Sequence, residues 1–278
     1  MYEVYTGLLK MMDKFQKSNT PCSITYELEA DYNELKEKYP LEQVAGEGTD
    51  EERSFRLLSW IAEHINHKGD YDGHVQNTAL ALFEYAFDTE NGINCAALST
   101  ALTECLLAVG IKARAVFIHP FSPYDCDNHV VCEAWSKERK KWMMLDPTYG
   151  SGVFYEGVPL SIAETRKHLA DRKEISFSET IHYNGELVTD LQDVREYYAK
   201  DLFWMMLTGV QGSQKDFSKM VLAYYFAPEG FDVKKHMAAN IQYREELWGK
   251  QEWLEQRKKM LASDAEFIYQ DLEALYDN

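Results

Sequence analysis

Residues 91–102 read Asn-Gly-Ile-Asn-Cys-Ala-Ala-Leu-Ser-Thr-Ala-Leu, which is a turn followed by the beginning of an apolar helix. The Asn-Gly pair favours the turn, and Asn94 is a good N-cap, so Cys95 is predicted at the first helical position. The residues behind it recur at helical spacing and predict one buried stripe, made of Leu98, Leu102, Cys105, Leu106 and Val109. Gly110 is predicted to end the helix. We expect a core helix that carries a thiol at its N-terminus and faces a sheet.

The sequence after this helix changes to the pattern of strands. β-branched and small residues predict strands at about 112–118, 129–135 and 142–145. If the charged run after the second strand turns at its Glu-Arg pair, the last two strands form a hairpin in which Val131 lies opposite Asp146. His129 and Asp146 are then diagonal neighbours on one face, about 7–8 Å apart at Cα. A helix that leads into an antiparallel sheet predicts an α+β fold.

Cys95, His129 and Asp146 follow one another along the chain and belong to residue types with complementary roles in acyl transfer. A cysteine thiolate is a nucleophile, an imidazole removes and returns its proton, and a carboxylate fixes the orientation and tautomer of the imidazole. The helix N-terminus favours a thiolate, and its free N–H groups can donate to a developing oxyanion. We therefore predict Cys95, His129 and Asp146 as candidate catalytic residues.

The segments around these residues resemble the transglutaminase-like superfamily of cysteine enzymes over about residues 50–150. The matching segments are Gly110-Ile111-Lys112-Ala113-Arg114, His129-Val130-Val131-Cys132-Glu133-Ala134-Trp135 and Trp142-Met143-Met144-Leu145-Asp146-Pro147-Thr148. The resemblance implies a papain-like/transglutaminase-like core, in which the nucleophile helix packs on an antiparallel sheet. It also implies Cys95 as nucleophile, His129 as general base and acid, and Asp146 as the partner that orients the imidazole.

The residues next to the cysteine bear on the reaction. Animal transglutaminases have Gln-Cys-Trp at the nucleophile, whereas this chain has Asn94-Cys95-Ala96. The resemblance therefore implies acyl transfer or amide hydrolysis through a Cys95 thioester, and glutamine-to-lysine crosslinking is only one such reaction. Asn94, Trp60 and Tyr85 are candidates for supporting the site or donating to the oxyanion.

The regions that flank the resemblance are predicted to be helical additions. Residues 1–45 form an N-terminal helical appendage, residues 46–160 the transglutaminase-like core, and residues 161–278 a mostly helical C-terminal region. In the last of these, the wide apolar face of residues 190–207 predicts one long helix.

Composition limits the partners of the protein. The chain has 29 Lys and Arg against 46 Asp and Glu, a formal net charge of -17, which argues against nucleic acid or an anionic membrane as a partner. Its five cysteines lack regular spacing and suggest free thiols in a soluble, cytoplasmic protein. We expect a protein or peptide substrate, and the predicted chemistry requires no metal or organic cofactor.

Two alternatives have specific support in the sequence. Cys126, His129 and Cys132 form a Cys-x-x-His-x-x-Cys cluster with His119 nearby, a pattern that suggests zinc. Residues three apart in a strand point to opposite faces, however, and no fourth ligand has ordinary zinc spacing. The other alternative is a catalytically inactive transglutaminase-fold protein that acts as a binding or interaction module.

Overall fold

The computed structural model describes residues 1–28, 32–179, 181–212, 222–249, 251–262 and 267–276. Within these ranges the helices are α1 Tyr2–Met11, α2 Asn33–Lys38, α3 Leu41–Ala45, α4 Asp50–His64, α5 Ala79–Ala86, α6 Cys95–Ala108, α7 Ile162–Ala170, α8 Leu191–Asp201, α9 Val233–Trp248 and α10 Glu252–Ala262, followed by a 3-10 helix at Leu272–Leu275. The strands are β1 Thr25–Tyr26, β2 Asn66–His67, β3 Gly92–Ile93, β4 Ala113–His119, β5 His129–Ser136, β6 Lys141–Asp146, β7 Ser151–Tyr155, β8 Val158–Pro159, β9 Ser176–Phe177, β10 His182–Tyr183, β11 Glu186–Leu187, β12 Trp204–Thr208, β13 Val210–Gln211, β14 Ala223–Phe226 and β15 Ile268–Tyr269.

The main sheet runs in the order β15-β14-β12-β4-β5-β6-β7-β8, and β9 also pairs with β7. All of its neighbouring strands are antiparallel except β15, which joins β14 in parallel. This combination of helices with a multi-strand sheet is consistent with the predicted α+β class.

The sheet is covered on both faces by different helices. Cys132 of β5 belongs to a core cluster with residues of α4, α5 and α6, whereas its neighbour Val131 belongs to a cluster with residues of α1, α7 and α8. Successive residues of a strand point to opposite faces, so His129 shares the face of Val131 and not that of α6. A side chain of α6 can therefore approach His129 only around the end of β5, where His129 is the first residue.

The hairpin register predicted from the charged turn is confirmed. Cys132 pairs with Leu145, and Ser136 pairs with Lys141. Continuing this register by one residue puts Val131 opposite Asp146, as expected. The turn between the strands is closed by Lys140, which adopts a positive φ of 54°.

The beginning of α6 is also as predicted, but the side chains that bond to the sheet are not those of the predicted Leu98 stripe. Asn94 caps the helix, since its side-chain oxygen accepts from the Ala97 N–H at 3.0 Å. The Leu98 stripe is buried, but so is most of the rest of α6. The polar row that begins with Cys95 bonds to β5, because Ser99 Oγ donates to the Val130 carbonyl at 2.8 Å and Thr103 Oγ1 to Cys132 Sγ at 3.4 Å.

The long helix predicted over residues 190–207 is wrong in its second half. Asp190 caps α8 as a good N-cap should, but the helix ends at Asp201, and Trp204–Thr208 form β12. β12 lies between β4 and β14 in the sheet, where a continuous apolar run fits because both faces are covered. The C-terminal region, predicted to be mostly helical, thus also supplies β12, β14 and β15 to the main sheet.

The N-terminal helix packs on helices of the C-terminal region. Arg166 of α7 donates to the Met12 carbonyl just after α1 at 2.7 Å, and Tyr2 N donates to Glu196 of α8 at 2.9 Å. Across the described ranges, none of the helices has the length and apolar character that crossing a bilayer requires.

Candidate active site

Cys95 is the first residue of α6 and is partly buried. Its amide and that of Ala96 precede the first intrahelical hydrogen bond, which runs from Leu98 N to the Asn94 carbonyl at 2.9 Å. Asn94 uses its side chain on Ala97, so, within the described ranges, the amides of Cys95 and Ala96 are donors without an intrahelical partner. The Cys95 thiol thus lies beside two N–H groups at the positive end of a helix.

His129 and Asp146 form a buried pair. His129 Nε2 lies 2.6 Å from Asp146 Oδ2, and the two side chains are 2 % and 0 % exposed. Asp146 also accepts from Tyr198 Oη at 2.7 Å and from Thr148 N at 2.9 Å. Burial opposes the charge of Asp146, but His129 and these hydrogen bonds hold the pKa of the carboxyl below its usual value.

The His129–Asp146 pair affects the pKa of the Cys95 thiol. Burial disfavours the imidazolium form of His129, but Asp146 and Cys95 raise its pKa well above the usual value. Because Nε2 is engaged by Asp146, Nδ1 is the ring nitrogen left for the thiol. Burial alone would raise the pKa of Cys95, yet hydrogen-bonding interactions with His129 and His67 lower it to about 6. At neutral pH the favoured state is a thiolate beside an imidazolium.

The second imidazole at the thiol, that of His67, was missed by the sequence analysis. His67 lies on β2, which pairs in parallel with β3 so that His67 is opposite Ile93, two residues before Cys95. The position carries no motif, and the parallel pair joins segments far apart in the chain. The sequence around His67 offers only a histidine followed by the Gly- and Asp-containing segment 68–73, which is too general to identify it.

A short hairpin holds His67 in place. Tyr183 Oη lies 2.8 Å from His67 Nδ1, and Asn184 bonds the His67 backbone twice, at 2.6 Å to its N–H and 3.0 Å to its carbonyl. The hairpin is β10–β11, and its exposed turn has positive φ at Asn184 and Gly185. Its hydrogen bonds leave Nε2 as the His67 nitrogen that can turn toward Cys95.

Tyrosine rings surround the histidines. Tyr197 packs edge-on against His129 with a centroid distance of 5.3 Å, and Tyr149 lies between Tyr198 and Tyr183 at 6.5 Å and 6.1 Å. Tyr183 is 39 % exposed and Tyr198 is fully buried. These rings therefore form an aromatic wall from the buried Asp146 carboxylate to the partly exposed Tyr183.

The other predicted supporting residues have different positions. Asn94 caps α6 and also donates to the Tyr71 carbonyl at 3.3 Å. Trp60 of α4 packs against Phe83 and Phe87, and Tyr85 of α5 packs against Tyr71 and His74. None of these ring contacts of Trp60 and Tyr85 involves Cys95, His129 or Asp146.

The remaining cysteines differ from Cys95. Cys105 and Cys132 are buried, and burial raises the pKa of both thiols, to about 12 for Cys132. Cys132 accepts from Thr103, on the face of β5 opposite to His129. The suggested Cys126-His129-Cys132 zinc cluster does not assemble, and among the described residues no group of three or more His, Cys, Asp or Glu side chains is arranged to hold a metal ion.

The arginine of the Gly-Ile-Lys-Ala-Arg segment has a structural position. Arg114 is fully buried, bonds Glu133 at 2.6 Å and 3.0 Å, and stacks on Trp142 at 3.9 Å. It also donates to the Leu275 carbonyl at 2.6 Å. This network joins β4 and β5 to the C-terminal 3-10 helix and fixes the sheet that carries His129.

Comparisons with known proteins agree with the resemblance of the sequence. The family model described as the transglutaminase-like superfamily matches residues 37–147, a range that includes Cys95, His129 and Asp146. No curated protein and no solved structure matches the chain. The family prediction is confirmed: residues 37–147 of this chain are a domain of the transglutaminase-like superfamily.

Proposed function

We propose that this protein is a cysteine enzyme that performs acyl transfer or amide hydrolysis through a thioester on Cys95. The observation that carries the proposal is the thiol at the start of α6 beside His129, whose other ring nitrogen is held by Asp146 at 2.6 Å. A thiol with its pKa lowered to about 6 is a nucleophile at neutral pH, whereas a structural cysteine in a core is not.

In the first half-reaction the Cys95 thiolate attacks the carbonyl carbon of an amide or ester and forms a tetrahedral oxyanion. The bond to the leaving amine or alcohol then breaks, and the His129 imidazolium gives its proton to that group. The products are a Cys95 thioester and a neutral His129. Asp146 stays ionised throughout and stabilises the imidazolium form.

The second half-reaction reverses these proton movements. Water or an amine loses a proton to neutral His129 and attacks the thioester, and the thiolate leaves. Free N–H groups at the start of α6 are suitable donors for the oxyanion in both steps. His67 faces the same sulfur, so its Nε2–H is a further candidate donor, positioned by Tyr183 and Asn184.

The same proposal extends to the substrate and the setting. A protein or peptide is the acyl donor that best fits the aromatic wall beside the site, because its apolar side chains can pack on Tyr183, which is 39 % exposed. The reduced thiols of Cys95, Cys105, Cys126 and Cys132 fit a reducing compartment such as the cytoplasm. The residues of the site supply all the proton transfers that the two steps require.

An activated ester tests the thioester directly. With p-nitrophenyl acetate we expect a burst of one equivalent of nitrophenolate and a mass increase of one acetyl group on the peptide that contains Cys95. His129→Gln should slow the burst strongly at pH 6, because the thiol loses the partner that ionises it. Added alkylamine during turnover then distinguishes an acyltransferase, which forms the amide, from a hydrolase, which forms only acetate.

Cys126→Ser is the matched control, since it removes another partly buried thiol that is outside the site. It should leave the burst unchanged. An absent burst in the unmodified protein, or acetylation that is the same with and without His129, would contradict the proposal and favour the inactive interaction module.

A further inference from the structure

The irregular segment of residues 120–128 connects β4 to β5 and ends next to His129. His129 is the first residue of β5 and lies opposite Ile118 of β4, whereas the ladder between β5 and β6 begins at Cys132, three residues later. The imidazole therefore belongs to the end of a strand. Because the ends of strands are held less firmly than their centres, the segment that leads into β5 affects where the imidazole lies.

Two helices of the C-terminal region hold this segment. On α9, Asn240 and Arg244 donate to backbone carbonyls of the segment. On α8, the Lys200 ammonium lies 3.2 Å from a carboxylate oxygen of Asp125 and 3.2 Å from one of Asp127. α9 thus holds mainly the backbone, whereas α8 holds the acidic side chains as far as Asp127, two residues before the histidine.

The charge of Lys200 is compensated by three carboxylates. Its side chain is 12 % exposed, and besides Asp125 and Asp127 its ammonium lies 3.5 Å from the fully buried Asp201. Burial opposes the ammonium form, but Asp201, Asp127 and Asp125 raise the pKa of Lys200 above its usual value. An ammonium has three N–H donors, one for each of these carboxylates. Lys200 therefore stays charged at neutral pH and keeps its acidic partners together.

Tyr197 connects this ion-pair cluster to the imidazole. Its hydroxyl donates to Asp127 at 3.3 Å, and the Lys200 ammonium lies over its ring, 5.1 Å from the centroid, as a cation–π pair. The same ring packs edge-on against His129 with a centroid distance of 5.3 Å. The position of the Tyr197 ring against the imidazole thus depends on Asp127 and Lys200.

We propose that Lys200 is a positioning residue for His129. It ties Asp127 to α8, and the carboxylate and the ammonium together hold the Tyr197 ring against the imidazole. The inference rests on the proposed function, in which the imidazole must face the thiol to accept and return a proton. Lys200 and Tyr197 lie outside residues 37–147, so the superfamily domain of this chain depends on α8 for the placement of its base.

The pH dependence of Cys95 alkylation in the full chain tests the positioning without turnover. The ionisable groups that lower the pKa of Cys95 are His129 and His67. Asp127→Ala removes a negative charge, which by electrostatics alone would lower the midpoint or leave it unchanged. Loss of the imidazole's alignment should instead raise the midpoint by roughly 0.5–1 pH unit. Lys200→Gln should raise it as well, and the double variant should shift it by less than the sum, because both changes break the same link.

Two further variants separate position from charge. Asp127→Asn makes the same change in charge as Asp127→Ala but keeps an oxygen that accepts from Tyr197 and Lys200, so its shift should be smaller. Lys258→Gln is the matched control, because it also removes an ammonium that bonds two carboxylates, those of Glu245 and Glu255. It should leave the Cys95 midpoint unchanged.

The outcomes for the positioning and for the enzyme are distinct. A midpoint that falls or stays in place in Asp127→Ala would overturn the positioning. Equal shifts in Asp127→Ala and Asp127→Asn, or fully additive shifts of Asp127→Ala and Lys200→Gln, would overturn it as well. The nitrophenolate burst of the unmodified protein tests the enzyme separately: an absent burst together with the expected shifts would contradict the proposed function and support the positioning of His129.

Discussion

The pH dependence of Cys95 alkylation separates an ion-paired nucleophile from an ordinary thiol. His129 and His67 lower the pKa of Cys95 to about 6, against the effect of burial. The thiolate is therefore the main form above that pH, and the alkylation rate should rise between about pH 5 and pH 7 and then stay constant. A free cysteine, with a pKa of ~8.5, rises two to three pH units later.

The expected difference in alkylation rate between Cys95 and a free thiol depends on the pH. At pH 6 about half of Cys95 is thiolate, against roughly 0.3 % of a free thiol, a ratio of about 150. The lower pKa also makes the thiolate intrinsically about tenfold less nucleophilic. The net advantage is therefore about tenfold at pH 6 and nearly disappears between pH 7 and pH 7.5. A single rate near neutral pH does not discriminate, whereas the midpoint of the curve does.

Iodoacetamide labelling followed by peptide mass spectrometry measures this midpoint for each cysteine. His129→Gln should move the Cys95 midpoint upward by roughly 1–3 units, because a cation within a few ångströms is lost. His67→Gln should move it in the same direction by less. Cys126 in the same samples is the internal reference. A Cys95 midpoint near 8.5 in the unmodified protein, or one that His129→Gln leaves in place, would refute the ion pair.

Three further predictions concern buried polar groups. Tyr198→Phe removes a hydrogen bond to a buried carboxylate and should lower the free energy of unfolding by about 2 kcal/mol in urea melts, whereas Tyr197→Phe should cost less; equal losses would contradict this. Burial raises the pKa of Glu104 to about 8 in the folded state, so its stabilising effect is complete below pH ~4 and is lost as the pH rises toward 8. Glu104→Gln should therefore raise the free energy of unfolding by about 3 kcal/mol at pH 7 but by little at pH 4. A gain that does not depend on pH would exclude the raised pKa of Glu104 as its cause. Arg114→Met should lower the free energy of unfolding by about 3–5 kcal/mol, and adding Glu133→Gln should recover part of this loss in the same urea melts. No recovery would show that lost packing, and not the unpaired charge of Glu133, dominates the effect.

Some features of the site follow from short-range rules and were predictable. The N-cap at Asn94 depends on residues within one helical turn, and the register of the β5–β6 hairpin depends on its turn and on alternation along two adjacent strands. Both predictions are confirmed by the structure. The diagonal placement of His129 and Asp146 follows from that register.

Other features depend on contacts that no local rule describes. The apolar run at Trp204–Thr208 fits a helix or a buried strand equally well, and its place between β4 and β14 decides for the strand. The buried stripe of α6 did not identify the face toward β5, because nearly the whole helix is enclosed and polar side chains make the specific bonds. His67 reaches the thiol through pairing with β3 and support from the distant β10–β11 hairpin.

The sequence by itself determined the order of the nucleophile, base and acid, the cap that starts the nucleophile helix, and the superfamily to which residues 37–147 belong. These properties are encoded locally, in hydrogen bonds and periodicities that span a few residues. Only the tertiary structure decided the lowered pKa of Cys95 and the identity of its second imidazole. Desolvation and Coulomb interactions depend on distances in space, and the chain fixes those distances only when its remote segments pack together.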